Sequence, residues 1–234
     1  MSRPTSSVLP FSKACDLLGD AAALAPFYEQ IDRCPDALAG QHPIRRWEYA
    51  TALYTMQVWQ ENQGQGDGHP GTPLQICDVG GAGSNFWKVL AGLTSETVIV
   101  VDPSTVRVED HQAVFLTASA EDYAANAPHD QFDVLTCISV IEHVRDLRPF
   151  FRACRMLLKP GGLLFLTTDY WDADGEDTAH FHWMRERIYN AGSIRSLLRS
   201  LRDLGYRSFG TSDWTYAGAQ VYNYSVASLA VVKS

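Results

Sequence analysis

Several features that would place a chain in a membrane, secreted or nucleic-acid-binding class are missing from this sequence. Its 234 residues hold no apolar run near the roughly 18 residues that a membrane span requires. Residues 1–10 lack the basic and then apolar pattern of a secretory signal. The net charge is −8, so the chain offers no general positive field to a polyanion. We therefore expect a cytoplasmic protein that binds neither a membrane nor bulk nucleic acid.

The cysteines do not form a recognisable disulfide or metal framework either. There are five of them, an odd number, and no two have the close spacing of a metal site. Several fall within segments that we predict to be buried strands. We expect free, buried thiols, and the prediction contains no metal ligand set. These residues are Cys15, Cys34, Cys77, Cys137 and Cys154.

The most informative segment that is present is a glycine-rich loop at 76–86, which reads Ile-Cys-Asp-Val-Gly-Gly-Ala-Gly-Ser-Asn-Phe. An apolar run ends in Asp78, and Gly80, Gly81 and Gly83 follow before a segment compatible with a helix. Glycines allow the backbone to turn sharply and to approach a ligand more closely than a side chain would permit. The segment is typical of a nucleotide-type binding loop.

A second acidic residue narrows the class of ligand. The predicted strand at 97–101 ends in Asp102, at about the ~20-residue distance at which a carboxylate reaches the hydroxyl groups of a bound ribose. Dinucleotide folds use Gly-x-Gly-x-x-Gly, and counting from Gly81 the third glycine position is Phe86. The phenylalanine weakens the hypothesis of an NAD-linked oxidoreductase.

The rest of the chain divides into three regions. Residues 1–63 have helical periodicity, broken at Pro26, Pro35 and Pro43, and we predict a helical cap there. Residues 64–73 are rich in glycine and proline and form a predicted linker. Strand and helix patterns alternate through 74–234, as a parallel, doubly wound sheet requires. Strands are predicted at 74–79, 97–101, 113–117, 132–138 and 163–168, helices at 86–93, 147–158 and 193–204, and a closing pair of strands near 207–211 and 224–232.

The spacing Asp-x-Gly-x-x-Gly, as Asp78, Gly80 and Gly83, resembles the first motif of class I S-adenosylmethionine-dependent methyltransferases. Three further segments follow in the order seen in the small-molecule, type 11/12-like branch of that superfamily: Phe-Asp-Val-Leu at 132–135, Ser-Val-Ile-Glu-His-Val at 139–144 and Leu-Leu-Lys-Pro-Gly-Gly at 157–162. The resemblance implies an α/β, Rossmann-like, doubly wound sheet of seven strands. A C-terminal antiparallel hairpin and an N-terminal helical cap complete the expected fold.

The resemblance also implies a cofactor, S-adenosylmethionine, and a set of residues that hold it. The loop glycines and Asp78 are expected at its methionine part, Asp102 at the ribose, the segment after the third strand at the adenine, and the end of the fourth strand beside the methionine chain. The expected cofactor-binding residues are Asp78, Gly80, Gly81, Gly83, Asp102, Pro103, Ala120, Glu121, Ile138 and Ser139.

For the reaction itself, His143 is the predicted base and Glu142 the second predicted catalytic residue, because both follow the fourth strand and face the same cleft. An acidic and aromatic insertion at 169–192 is expected to lie over the active site and to bind a small hydroxyl or amine compound together with the cap. The predicted substrate-binding residues are Arg46, Trp47, Tyr170, Trp171, His180 and His182.

Two alternatives stay open at this point. Ser139 to His143 resembles the Glu-x-x-Glu-His of metal-assisted O-methyltransferases that act on diols, catechols or an RNA 2′-hydroxyl, although Ser139 stands where the first carboxylate is expected. Residues 169–192 hold further acids and histidines that could substitute. The second alternative is a cofactor-binding interaction protein that does not catalyse. The sequence does not indicate an oligomeric state.

Overall fold

A mostly parallel β-sheet runs through the centre of the protein, in a computed structural model that describes residues 9–63, 73–93, 97–104, 110–171, 188–215 and 225–234. The order of adjacent strands is β4-β3-β2-β5-β6-β9-β1-β8, and β7 also pairs with β9. The strands are β1 (Ser12–Ala14), β2 (Ile76–Val79), β3 (Val98–Asp102), β4 (Ala113–Thr117), β5 (Phe132–Cys137), β6 (Leu158–Tyr170), β7 (Tyr206–Ser208), β8 (Ser212–Asp213) and β9 (Ser225–Lys233).

The predicted α/β fold is confirmed, but its strand count is wrong. The five strands from β4 to β6 are mutually parallel, and β9 returns antiparallel between β6 and β7, as the closing hairpin predicts. Within the described residues the sheet has nine strands instead of seven. The additional strands are β1, which lies in a segment predicted to be helical, and β8.

The long strand β9 explains why β1 forms. All nine residues of β9 are buried, and β7 pairs with only its last three residues, 231–233. An uncovered strand edge leaves backbone N–H and C=O groups without partners. β1 covers the remaining edge, with Lys13 opposite Ser228 and Ala14 opposite Ala227, and β8 then pairs with β1. The pairing of β1 with β9 joins residues more than 200 positions apart.

Six α-helices of the described residues cover the two faces of the sheet. They are α1 (Ala21–Asp32), α2 (Arg45–Gln63), α3 (Phe86–Leu90), α4 (Ala120–Asn126), α5 (Leu147–Leu157) and α6 (Ala191–Asp203), with a short 3-10 helix at Pro35–Ala37. Pro26 lies inside α1 and does not divide the segment as expected. The proline costs one backbone hydrogen bond, while Leu24, Phe27 and Ile31 keep the buried stripe of the helix intact.

Each face of the sheet has its own apolar core. Helix α2 contributes Trp47, Met56 and Trp59 to a cluster that also contains Phe165 of β6 and Ala230 of β9. The opposite face packs α4, α5 and α6 against the alternate strand residues, because successive side chains of a strand point to opposite faces. The predicted boundary at 64–73 falls almost wholly outside the described residues, so the division into cap, linker and core stays a prediction.

Two further expectations from the composition can be compared with the structure. All five cysteines are free, and all of them except the half-buried Cys34 are buried. In the part of the chain that the structure describes, no helix has both the length and the apolar character needed to cross a membrane.

A buried polar cluster joins β1 and the first two helices. Lys13 forms an ion pair with Asp20, and the indole N–H of Trp47 donates to the other carboxylate oxygen of Asp20 over 2.9 Å. The three side chains are almost fully enclosed. The carboxylate thus satisfies two donors that would otherwise be buried without a partner.

Replacing Asp20 by alanine is therefore expected to destabilise the protein strongly. The substitution leaves the Lys13 ammonium and the Trp47 indole buried without an acceptor, and removing one partner of a buried ion pair costs about 3 kcal/mol or more. Urea denaturation of the variant measures this loss in the free energy of unfolding. The exposed Asp36, replaced by alanine, is the control and should change it by less than about 0.5 kcal/mol. If Asp20→Ala and Asp36→Ala lowered the free energy of unfolding equally, the stabilising role of the Asp20 carboxylate would be contradicted.

Candidate functional site

The carboxyl ends of the central parallel strands meet at one edge of the sheet, where the glycine loop follows β2. Gly80 has a left-handed φ of 73°. A Cβ atom at Gly80 would collide with the side chain of Val140, and one at Gly81 would collide with the carboxylate of Asp78. A Cβ atom at Gly83 would lie in open space, with no atom of the described residues close to it. The loop is therefore packed tightly against the strand ends on one side and open on the other.

Asp78 is the buried acid of this loop, and it is the most unusual group in it. Its side chain is fully enclosed, and its Oδ1 accepts a hydrogen bond from the hydroxyl of Thr136 over 2.7 Å. Its Oδ2 is buried and makes no hydrogen bond of ordinary geometry within the described residues, although the Ser84 hydroxyl lies close enough to lower the pKa of Asp78. Burial raises the pKa of Asp78 to about 7, and the charge of Asp102 adds to the increase. The unpartnered oxygen is a ready acceptor for a cationic donor.

Asp102, at the end of β3, holds the loop from the neighbouring strand. One carboxylate oxygen accepts from the backbone N–H of Ala82 over 3.2 Å, and the other accepts from that of Ser104 over 2.7 Å. Pro103 beside it is exposed. Farther along this edge, Ala120 is buried at the start of α4 and Glu121 is half-buried next to it. The structure thus places the predicted ribose and adenine residues after adjacent strands.

A second buried acid enters the same edge from α2. Glu48 is fully enclosed, and its Oε1 accepts from the hydroxyls of Thr167, over 2.5 Å, and Ser139, over 2.9 Å. Its Oε2 pairs with Arg45 over 2.8 Å. The Nη1 of Arg45 also donates to the hydroxyl of Ser139 over 2.6 Å. These bonds tie the start of α2 to the ends of β5 and β6.

Ser139 lies at the centre of this arrangement in an unusual backbone conformation. Its φ of 51° is in the left-handed region, which a residue with a side chain occupies at a cost of about 1–3 kcal/mol. Its N–H donates to the hydroxyl of Thr167 over 3.0 Å, which orients that hydroxyl toward Glu48. Ile138 before it is buried. Such strain is retained where surrounding contacts fix it, and it is common at functional sites.

The two predicted catalytic residues occupy different environments. Glu142 is buried, and its Oε2 accepts from the hydroxyl of Thr168 over 3.1 Å. Burial raises the pKa of Glu142 well above its usual range, and the charges of Asp169 and Glu48 add to the increase. His143 is exposed, and its backbone N–H donates to the carbonyl of Val140. The catalytic role of each residue stays a prediction.

The predicted substrate-binding residues have mostly structural contacts. Arg46 is half-buried, pairs with Asp32 over 2.6 Å and lies over the ring of Tyr28. Trp47 is buried against Asp20, as described above. The hydroxyl of the fully buried Tyr170 donates to the carbonyl of Trp214 over 2.8 Å.

Of the remaining predicted substrate-binding residues, the structure describes Trp171 only. Trp171 is half-buried, and its N–H donates to the carbonyl of Tyr189 over 2.7 Å. His180 and His182 lie outside the described residues. The substrate-binding roles of all these residues stay predictions.

The predicted substrate-binding set contains Arg46 and Trp47, whereas the structure places their neighbours Arg45 and Glu48 against the strand ends. Residues three apart on a helix share a face, so Arg45 and Glu48 lie together. Glu48 also continues the buried stripe of α2 through Thr51 and Thr55. A charged residue at the start of an otherwise uncharged buried stripe is the signal that could have identified it, because acids are almost never fully buried unless they are paired.

The described residues contain no group of three or more histidine, cysteine, aspartate or glutamate side chains that could hold a metal ion. The acids and histidines of residues 172–187 lie outside the described part of the chain. Of the ligands and substitutes expected for the metal-assisted alternative, the described residues keep Glu142, His143 and Asp169, and Asp169 is close enough to Glu142 for its charge to raise the pKa of Glu142.

Comparison with known proteins gives a consistent result. A family model described as a methyltransferase domain matches residues 46–208. A ubiquinone biosynthesis O-methyltransferase of Xanthomonas campestris pv. campestris is 38% identical over 102 residues, which is 40% of this chain and 42% of the relative. The chain thus spans less than half the length of this relative.

Solved structures share the fold at low sequence identity. One is a Burkholderia thailandensis 1,6-didemethyltoxoflavin-N1-methyltransferase with bound 1,6-didemethyltoxoflavin and S-adenosylhomocysteine. It has a TM-score of 0.58 at 14% identity, and the match covers 100% of this chain and 98% of that enzyme's chain. The [4+2]-cyclase SpnF has a TM-score of 0.57 at 18% identity and covers 89% of this chain and 94% of its own. These likenesses concern the fold, which can support more than one chemistry.

The raised pKa of Asp78 predicts how the protein's stability changes with pH. The folded-state pKa, about 7, lies above the ordinary value of 3.8, so protonated Asp78 stabilises the folded form at low pH and this contribution is lost as the pH rises toward 7. The asparagine side chain in the variant Asp78→Asn does not titrate. Between pH 5 and 7 the wild type should lose about 2 kcal/mol relative to the variant, as urea denaturation would measure. Parallel pH profiles for the two proteins would contradict the burial argument.

Proposed function

Because the chain belongs to the family of methyltransferase domains, whose model matches more than half of its residues, we propose that it transfers a methyl group from S-adenosylmethionine to a hydroxyl group of a small molecule. The observation that carries the proposal is the buried Oδ2 of Asp78, which makes no hydrogen bond within the described residues, together with the guanidinium of Arg45, whose charge acts on Asp78. The name of the relative that shares 38% identity, an O-methyltransferase, favours a hydroxyl acceptor over an amine.

The charge pair suits the amino-acid end of the cofactor, which carries an ammonium and a carboxylate. Asp78 has a buried oxygen without a described partner, and an ammonium group can donate to it. Arg45 is close enough for its charge to lower the pKa of Asp78, opposing the effect of burial. A guanidinium is the side chain best suited to a carboxylate, because its planar fork can bind both oxygens. Arg45 would therefore hold the carboxylate and Asp78 the ammonium.

The nucleoside end of the cofactor has acceptors along the same edge. Asp102 uses one hydrogen bond at each carboxylate oxygen to hold the loop, and a carboxylate offers about four lone-pair sites. Two sites therefore remain for the ribose hydroxyls. Ala120 and Glu121, after the adjacent strand β4, are the proposed contacts of the adenine. The glycine loop would follow the methionine chain with Ile138 and Ser139 on its other side.

The bound cofactor would supply an activated methyl group, and the chain's own residues would orient the acceptor and exclude water. Burial raises the pKa of Glu142 and so favours protonation of its carboxyl, and a protonated carboxyl can donate a hydrogen bond to the acceptor oxygen. His143, the neighbouring exposed imidazole, remains the proposed group for removing the acceptor's proton. The position of Ser139 where a metal-assisted enzyme would carry a carboxylate makes the metal-free route the first choice.

Calorimetric titration with S-adenosylhomocysteine tests the cofactor assignment, with NAD as the competing ligand. We expect micromolar binding of S-adenosylhomocysteine and no binding of NAD. Asp102→Ala should weaken the binding at least about tenfold, because it removes the acceptor of the ribose hydroxyls, and a loss of about 1.4 kcal/mol corresponds to that factor.

The exposed Asp36→Ala is the control for that titration and should bind as the wild type does. Binding of NAD alone would overturn the proposal in favour of an oxidoreductase. Binding of S-adenosylhomocysteine without methyl transfer, in a screen of phenols, catechols and amines with and without magnesium, would favour the non-catalytic alternative.

A further inference from the structure

We propose that Glu48 is a positioning residue that fixes Arg45 and Ser139 for recognition of the amino-acid end of the cofactor. The inference rests on the proposed function, and it concerns a residue of α2 that lies outside the sequence motifs. Glu48 is not a catalytic residue in this proposal, because its carboxylate is fully enclosed and acts on the ligand only through its neighbours.

The hydrogen bonds around Glu48 form a closed network in which every donor leads to the carboxylate. The Ser139 backbone N–H donates to the Thr167 hydroxyl, and that hydroxyl donates to Glu48. Arg45 donates to the Ser139 hydroxyl, which in turn also donates to Glu48. Each hydroxyl therefore has its single proton committed to the carboxylate. Only an acceptor at this position, and not a donor, fixes both hydroxyls in these orientations.

The same network leaves part of Arg45 available to a ligand. Its side chain is 21% exposed, whereas that of Glu48 is 0% exposed, so the Arg45 side chain reaches from the enclosed carboxylate toward solvent. Within the described residues, both hydrogen bonds of its side chain start from Nη1. Nε and Nη2 remain as donors, and a guanidinium fixed on one side offers a rigid fork on the other.

Stability alone is a poor explanation for this cluster. A buried ion pair contributes little to stability compared with apolar residues of the same volume, because both charges must be removed from water. The cluster also holds Ser139 in the left-handed region, at a further cost. Energetically unfavourable groups that are retained together at the edge of a cleft indicate a functional role.

Glu48 also explains the departure at position 139. In the motif that residues 139–143 resemble, a carboxylate stands at the first position, where this chain has Ser139. The hydroxyl of Ser139 donates to the carboxylate of Glu48. Helix α2 therefore supplies an acid beside position 139, where the end of β5 has none. The acid is neutralised by Arg45 on its own helix, which makes it a partner for a guanidinium and not an open ligand.

Two ligands separate this role from a general structural one. S-adenosylhomocysteine carries the amino-acid end, whereas 5′-methylthioadenosine has the same nucleoside and thioether without it. In Glu48→Gln, the carboxamide keeps the shape but loses the charge that holds Arg45. We expect the Kd of S-adenosylhomocysteine, measured by calorimetry, to rise about tenfold or more, and that of 5′-methylthioadenosine to stay within about twofold.

The variants Arg45→Lys and Ser139→Ala should show the same selective loss, and they keep the test possible if Glu48→Gln does not fold. The combined Glu48→Gln and Arg45→Lys variant should lose no more than either single variant, because residues of one network are not additive. The matched control is Glu61→Gln, the same substitution on the exposed end of α2, which should change neither affinity.

Equal weakening of both ligands in Glu48→Gln, or no change in either, would overturn the positioning role. If the wild type binds the two ligands with equal affinity, the amino-acid end is not recognised, and this inference fails while the cofactor assignment stands. If the wild type binds neither ligand, the proposed function fails and this inference fails with it.

Discussion

The burial of one carboxylate on α2 constrains how the N-terminal helices lie on the sheet. Glu48 has its acceptors filled only when Arg45 is beside it and the hydroxyls of Ser139 and Thr167 are opposite. A shift of α2 along the sheet would separate Glu48 from these partners, and a buried charge without its partners costs several kcal/mol. Glu48 therefore favours one register of α2 on the strands, and with it one position of Arg45 at the strand edge.

Local patterns made most of the fold predictable. Strand β4 has the bounds that the sequence predicts, and α5 differs by one residue, because their periodicity is uninterrupted. The family prediction is confirmed by the match over residues 46–208, and membership of the class I S-adenosylmethionine-dependent superfamily is confirmed with it. The motifs around Asp78 and Glu142 made this possible, since each combines a strand end with a short polar segment whose order along the chain is distinctive.

Non-local constraints account for what the sequence could not predict. β1 is three residues long and carries a buried lysine, so its pattern does not indicate a strand, and its partners are at 227–228. It forms because β9 has an uncovered edge, a fact that no local window contains. For a similar reason, Arg45 contacts the strand ends and its neighbour Arg46 does not. A helix rotates about 100° per residue, so the phase of α2 on the sheet decides which arginine meets the strand ends.

The shared fold makes the strand edge, and not the architecture, the basis of a functional argument. A cyclase and an N-methyltransferase have this fold at similar TM-scores, so the sheet and helices do not distinguish their chemistry. The functional argument rests on the placement of charge at one edge: Asp78 with a buried oxygen that makes no hydrogen bond within the described residues, Arg45 near it, and the buried acids Glu48 and Glu142. Buried charges are costly wherever the ligand is absent, and a zwitterionic amino-acid group would satisfy two of them at once.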